Sequence, residues 1–156
     1  MNQRARIAMS DEQVTAMIEE SRKLQLATIN PDGTPHLVTM FYGLSEGRIA
    51  FWTYGKAQKT RNIARDPRVT CLIEAGDDYN ELRGVLLYGV AKPAENILEI
   101  GMDVARRMTQ SSIPPHRTPG VPDELLREYV EHTGRKRVAF VVERTKVVSW
   151  DHRRLT

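Results

Sequence analysis

The sequence is poor in the features that would set it apart from ordinary globular proteins. It has one cysteine, Cys71, in 156 residues, so no internal disulfide can form and no multi-cysteine zinc site can be built. No apolar run approaches the roughly 18 residues of a membrane span. Met1 to Arg6 leads into a polar stretch with no apolar leader core. Aromatic residues are few, at 6%. Neither sign of charge dominates: 23 Lys and Arg stand against 20 Asp and Glu, too small an excess to imply a nucleic-acid partner by itself. What remains is 40% hydrophobic and 28% charged, the balance of a folded chain rather than a disordered one. The length suits one domain over residues 1–156 with a core that needs no disulfide. A reducing cytoplasm is the expected compartment.

Hydropathy patterning predicts a mainly β protein. Residues 1–9 read as a loose arm. Ser10 to Gln13 reads as a capping box opening an amphipathic helix over residues 10–22, with Val14, Met17 and Ile18 on one face. Leu24 to Ile29 is strand-like. Asn30-Pro31-Asp32-Gly33 is a turn, since Pro presets φ and Gly accepts φ > 0, and Pro35 to Tyr42 returns as a second strand. Gly43 to Gly47 reads as a turn and Arg48 to Tyr54 as a third strand. A short helix is expected from Ala57 to Arg65, ended by Asp66-Pro67. Val69 to Ala75 and Leu82 to Lys92 follow as strands, the latter with Gly84 and Gly89 as bulge or close-approach positions. Residues 94–133 form a helical insertion around a proline-rich loop at 112–122, its second helix stopped by Gly134. Arg137 to Glu143 and Lys146 to Trp150 alternate as a terminal hairpin. Six or seven mostly antiparallel strands with peripheral helices point to a β-barrel.

The chemistry-bearing stretch is residues 51–67. A strand runs through Gly55 into a helix whose first turns carry Lys56, Lys59, Thr60 and Arg61. Unpaired N–H groups at a helix start attract an anion, and lysines with a hydroxyl make a phosphate seat there. A solvated basic helix would have the same composition. The cations from Arg135 to Arg154 read as a solvated face. The histidines, His36, His116, His132 and His152, lack metal-ligand spacing, so no metal is expected. No Gly-x-Ser-x-Gly elbow is present.

Lys59-x-x-Asn62-Ile63-x-x-Asp66-Pro67, after a strand ending near Thr53, resembles the flavin-phosphate motif of the pyridoxamine 5′-phosphate oxidase-like split β-barrels. The Pro31-Asp32-Gly33-x-Pro35 hairpin fits the same superfamily. Lys59 to Asn62, Asp66-Pro67-Arg68, Tyr79-x-Glu81-Leu82-Arg83-Gly84-Val85 and Ser149-Trp150-Asp151-His152 resemble its actinobacterial branch that uses the deazaflavin coenzyme F-420. The resemblance covers residues 11–92 and 136–153.

It implies an FMN-binding-type split barrel that forms a homodimer, with two cofactor grooves at the subunit interface and a small-molecule substrate. The cofactor phosphate would meet Lys59, Lys56 and Thr60, with Asn62 supporting the turn or the phosphate. The ring would lie near Thr39, Met40, Phe41, Trp52 and Thr53, whose backbone groups could bond its polar edge. Aromatics at strand spacing such as Phe41, Phe51 and Trp52 more often pack a barrel core than form a cofactor platform. Phe51 and Trp52 face opposite ways, and Trp52 is the one expected at the ring. Tyr79 and Trp150 would cap the neighbour's site or pack at the dimer contact. Arg61, Arg65 and Arg83 would meet the oligoglutamate tail of F-420. The implied activity is hydride transfer from reduced F-420 to an unsaturated organic acceptor. The alternatives are an FMN-dependent oxidoreductase and a non-catalytic cofactor carrier. Pyridoxamine phosphate oxidation is less expected, because the chain ends Arg153-Arg154-Leu155-Thr156 without the Arg-Leu-x-Pro-like end of that branch.

Overall fold

The structure is a computed structural model, and it describes residues 2–110 and 121–155. Its strands are β1 (Lys23–Ile29), β2 (Pro35–Phe41), β3 (Gly43–Ser45), β4 (Arg48–Tyr54), β5 (Arg68–Ala75), β6 (Arg83–Ala94) and β7 (Arg137–Asp151). Its helices are α1 (Gln3–Ile7), α2 (Asp11–Glu20), α3 (Gln58–Arg65), α4 (Ile97–Thr109) and α5 (Asp123–Gly134). The strands form one antiparallel sheet in the order β2-β1-β5-β6-β7-β4-β3.

Local chemistry sets the first elements. Ser10 and Gln13 exchange the two hydrogen bonds of a capping box at the start of α2. Gly33 takes φ +85° in the turn between β1 and β2, its N–H donating to the Asn30 carbonyl at 2.9 Å. Alternation then buries Leu24, Leu26 and Thr28 of β1 on one face. The sheet curls until both end strands share one core: Val38 and Met40 of β2 and Leu44 of β3 pack with Ile49 and Phe51 of β4 around Leu26, Ile73, Val85 and Phe140. Helix α2 adds Val14, Met17 and Ile18 to that core. The barrel is therefore mainly β, split between its end strands.

A second core lies on the other side of β4 and β7. Ala50, Trp52, Ala139 and Val141 pack there against Ile100, Met102, Val104 and Ala105 of α4 and Leu126 and Val130 of α5. A Cβ built on Gly101 would stand 2.8 Å from the Trp52 ring, so glycine lets α4 lie directly on the indole. Of the insertion expected at 94–133, the two described helices α4 and α5 thus cover this face. The Pro114-Pro115-His116-Arg117 stretch lies outside the described residues.

Four sequence expectations are corrected. Residues 3–7 are helical, and the Met9 N–H bonds Ser149 at 3.0 Å. Gly43–Ser45 is a strand, because Gly43, Leu44 and Ser45 pair with Ala50, Ile49 and Arg48 across the Glu46-Gly47 turn. Gly134 is the last helical residue, followed by Arg135 in right-handed geometry, and a Cβ there would only make ordinary contact with the Trp52 ring, at 3.4 Å. The expected terminal hairpin is one 15-residue strand. Its register against β6 slips between Tyr88 and Gly89, leaving Thr145 as an extra residue. The slip reverses the alternation, so Phe140 and Val142 face the barrel core before it and Val147 after it. A reversed phase across four exposed polar residues is what a turn looks like in sequence.

Candidate functional site

Helix α3 starts without a side-chain cap: Ala57 occupies the cap position, and no acidic residue lies in the first turn. The first N–H groups of a helix lack intrahelical partners, and Lys59 and Thr60 lie in that first turn. Lys59 is partly buried and has no carboxylate within ion-pair distance among the described residues. Burial, and then the nearby charge of Arg137, pull its pKa below the ordinary lysine value. The Thr60 hydroxyl donates to the Tyr54 carbonyl at 2.8 Å, which leaves its oxygen able to accept. Lys56 and Arg61 are exposed beside it.

The fold adds cations that the sequence reading left on a solvated face. Tyr54 of β4 stands opposite Arg137 of β7, and the Gly55 N–H donates to the Lys136 carbonyl at 3.0 Å. Arg135, Lys136 and Arg137 thereby join Lys56, Lys59 and Arg61 at one end of the barrel. The Arg137 guanidinium lies over two rings, 4.6 Å from the Trp52 centroid and 4.3 Å from that of Tyr54. Its Nε is buried and has no hydrogen-bond partner. No sequence signal singles out Arg137, since its neighbours come from a strand far back along the chain.

Other expected site residues divide. Asn62 is fully buried. Its amide nitrogen donates to Thr28 and Asn30, both at 3.0 Å, and its oxygen accepts from Gln58 at 2.9 Å. It ties α3 to the β1–β2 turn, and of the two roles considered for it, turn support matches this geometry. Arg65 is not free for a distant anion: Nη2 donates to the Ile29 carbonyl and, at 3.4 Å, to Asn62 Oδ1. Asp66 is paired with Arg68, whose hydrogen bonds bring its pKa down to about 2.

Thr39, Met40, Phe41, Trp52 and Thr53 do not make one wall. Met40 packs on the barrel core, and Phe41 and Trp52 on the helix-covered core. Thr53 is buried and Thr39 is exposed. Trp52, chosen over Phe51 for the ring, is 4% exposed under α4 and α5. Among the described residues strand β2 pairs only with β1, which leaves its outer edge unpaired there. Tyr79 and Arg83 sit away from Lys59. Arg83 stands opposite Asp151, at the end of β7 remote from Arg137, about 45 Å along an extended strand. Tyr79, 70% exposed, packs its ring against His152, with centroids 4.7 Å apart and planes tilted by 51°. Within one copy these two residues do not join the lysine seat.

Cys71 is buried mid-strand, and burial pushes its thiol up to about 12. Among the described residues, no three His, Cys, Asp or Glu side chains gather as a metal site, and no helix is long and apolar enough to cross a membrane.

The comparisons agree with the fold. A conserved hypothetical protein of Mycobacterium tuberculosis is 39% identical, with a TM-score of 0.84, over 99% of this chain and 92% of its own. An F-420 reductase at 24% identity shares the fold with a TM-score of 0.58, over 85% of this chain and 93% of its own. So does the heme storage protein HutZ of Vibrio cholerae, at 16% identity and a TM-score of 0.62, over 89% and 94%. None of the curated proteins compared with the chain matches it. Residues 10–147 match the family described as pyridoxamine 5′-phosphate oxidase, and the chain belongs to that family.

Proposed function

We propose that this family member is a reductase using the deazaflavin coenzyme F-420, with hydride passed to an unsaturated small organic acceptor in a groove between two copies of the chain. The observation that carries the reading is Lys59: a partly buried cation with no carboxylate partner, beside an uncapped helix start and the Thr60 hydroxyl. That donor set fits a phosphate monoester or diester, the group by which flavins and deazaflavins are commonly held. Arg61, with Arg135 and Lys136, offers exposed cations for the acidic tail that distinguishes F-420 from FMN.

When bound, the reduced deazaflavin supplies the hydride. The chain's own work is to bind and orient. Lys59 and Thr60 anchor the phosphate, and the free edge of β2 offers backbone N–H and C=O groups to the ring's polar edge. The acceptor's proton comes from solvent or from a hydroxyl in the groove.

The second copy has a place to bind. The outer face of β1, β5 and β6 is uncovered among the described residues. Leu72, Leu86 and Val148 line up across adjacent strands there and are half-buried, while Leu37 is 65% exposed. Beside them lies a hollow of about 510 Å³ lined by Ala27, Thr70, Tyr88 and Val90. A twofold pair would bury this face twice over and bring each copy's Tyr79 and Arg83 toward its neighbour.

The test is a titration of F-420 and FMN against wild type, Lys59→Ala and Lys23→Ala. Lys59→Ala should weaken both cofactors about ten- to hundred-fold. Wild type should prefer F-420 and lose more F-420 than FMN affinity as salt rises. Equal affinities with equal salt slopes would favour FMN, and Lys59→Ala behaving like Lys23→Ala would remove the phosphate assignment. A bound cofactor whose reduced form persists with every acceptor tried would make the protein a carrier.

A further inference from the structure

Arg137 is in an unusual condition for an arginine. Its Nε is buried without a partner, and no hydrogen bond or ion pair to its other nitrogens exists among the described residues. Those Nη nitrogens are not buried. The guanidinium is nevertheless held in place, over Trp52 at 4.6 Å and Tyr54 at 4.3 Å. Trp52 is itself fixed beneath Gly101 and Val130. The charge of Arg137 is felt by another cation, Lys59, and the Thr60 hydroxyl next to that lysine bonds the carbonyl of Tyr54, the residue paired with Arg137. Two cations kept close together, one on an aromatic platform and neither with an acid, cost stability in the free protein. An anion between them would remove that cost.

We infer that Arg137 is the second arm of the phosphate seat: its Nη edge and the Lys59 ammonium grip one phosphate of the cofactor, with Trp52 and Tyr54 holding the fork in place. The inference rests on the cofactor reading above. A planar fork suits phosphate because it donates two parallel hydrogen bonds, which a point charge cannot do. The platform fixes the fork before the ligand arrives, so little side-chain freedom is lost on binding. Because Tyr54 and Arg137 face each other across β4 and β7, the strand pairing itself sets the spacing to α3.

The experiment compares each cofactor with its phosphate-free form, FMN with riboflavin and F-420 with its deazaflavin alcohol, by fluorescence titration. For FMN against riboflavin, the preference for the phosphate-bearing compound reads the seat alone, whereas the F-420 pair also loses the acidic tail, so the FMN pair decides. In Arg137→Gln that preference should shrink about ten- to hundred-fold, while the phosphate-free compounds bind as in wild type. Arg137→Lys should fall between the two, since it keeps the charge and loses the fork. Tyr54→Ala removes an exposed ring and should cost several-fold of the same preference. If Arg137→Gln keeps the wild-type preference while Lys59→Ala loses it, Arg137 is outside the seat and the cofactor reading stands. If wild type itself shows no preference, the seat and this inference fall together. Should Arg137→Gln fail to fold, as judged by circular dichroism, Tyr54→Ala decides, and an unchanged preference there overturns the inference.

Discussion

The carboxamide of Asn62 spends both N–H groups on Thr28 and Asn30 and its oxygen on Gln58, in full burial. Asn62→Ala leaves these partners unpaired and should cost roughly 1–3 kcal/mol or more. The urea midpoint should fall with the slope unchanged. Asp151 provides a pH-dependent case. Its side chain is 4% exposed and accepts from the Arg153 Nε, Nη2 and backbone N–H. The side-chain hydrogen bonds to Arg153 hold its carboxyl below the ordinary aspartate range. A folded pKa below the unfolded one contributes stability above about pH 4 and loses it as pH falls through the folded value. Asp151→Asn should therefore be less stable than wild type at pH 7, with the gap narrowing toward pH 2 in urea titrations. A gap that stays constant would show that the charge of Asp151 is not what stabilises. Lys59 could be picked out from sequence because its helix start, its hydroxyl neighbour and its strand are local. Arg137 could not, because its two rings and its lysine come from elements distant in the chain.

Elements with local instructions formed where the pattern put them. The Ser10–Gln13 box starts α2, and the Asn30–Gly33 turn sets a β1–β2 register in which Ile29 faces Pro35. The docking of α4 is different, because it depends on the absence of a side chain. Gly101→Ala improves helix propensity by up to about 1 kcal/mol, yet its Cβ would stand 2.8 Å from Trp52 and 2.9 Å from Val130. Overpacking of this kind costs about 1–3 kcal/mol. The thermal midpoint should drop despite the better propensity; an unchanged or higher midpoint would mean α4 is free to lift. Strand β7 was misread as a hairpin for a related reason. Its phase reversal at Thr145 coincides with the close approach of Gly89 to the Glu143 carbonyl, and a single chain segment carries no record of the strand it pairs with.

On the scale of the molecule, one sheet has two outer regions with different fates. Over β4 and β7 the helices α4 and α5 complete a core. Over β1, β5 and β6 apolar side chains remain half-exposed around the hollow at Tyr88. Leu86→Glu places a charge at the centre of that face, opposite Leu72 and Val148. If two copies pair there, wild type at micromolar concentration should scatter light as a dimer and Leu86→Glu as a monomer. The monomer should also bind cofactor more weakly, because its groove has lost the facing copy. A wild-type monomer that binds cofactor at ordinary affinity would exclude the interface site.

The sequence by itself determined the class of fold, the α2 cap, the β1–β2 turn and the cationic entry to α3. Each of these depends on residues within a few positions of one another, where propensity and hydrogen-bonding geometry act directly. Only the tertiary structure decided which cations lie at the same end of the barrel as Lys59, that Asn62 is a joint, that Trp52 lies under helices, and that Tyr79 and Arg83 stand apart from Lys59. Those outcomes depend on strand order and register, and the pairing of Tyr54 with Arg137 arises from the closing of a whole sheet.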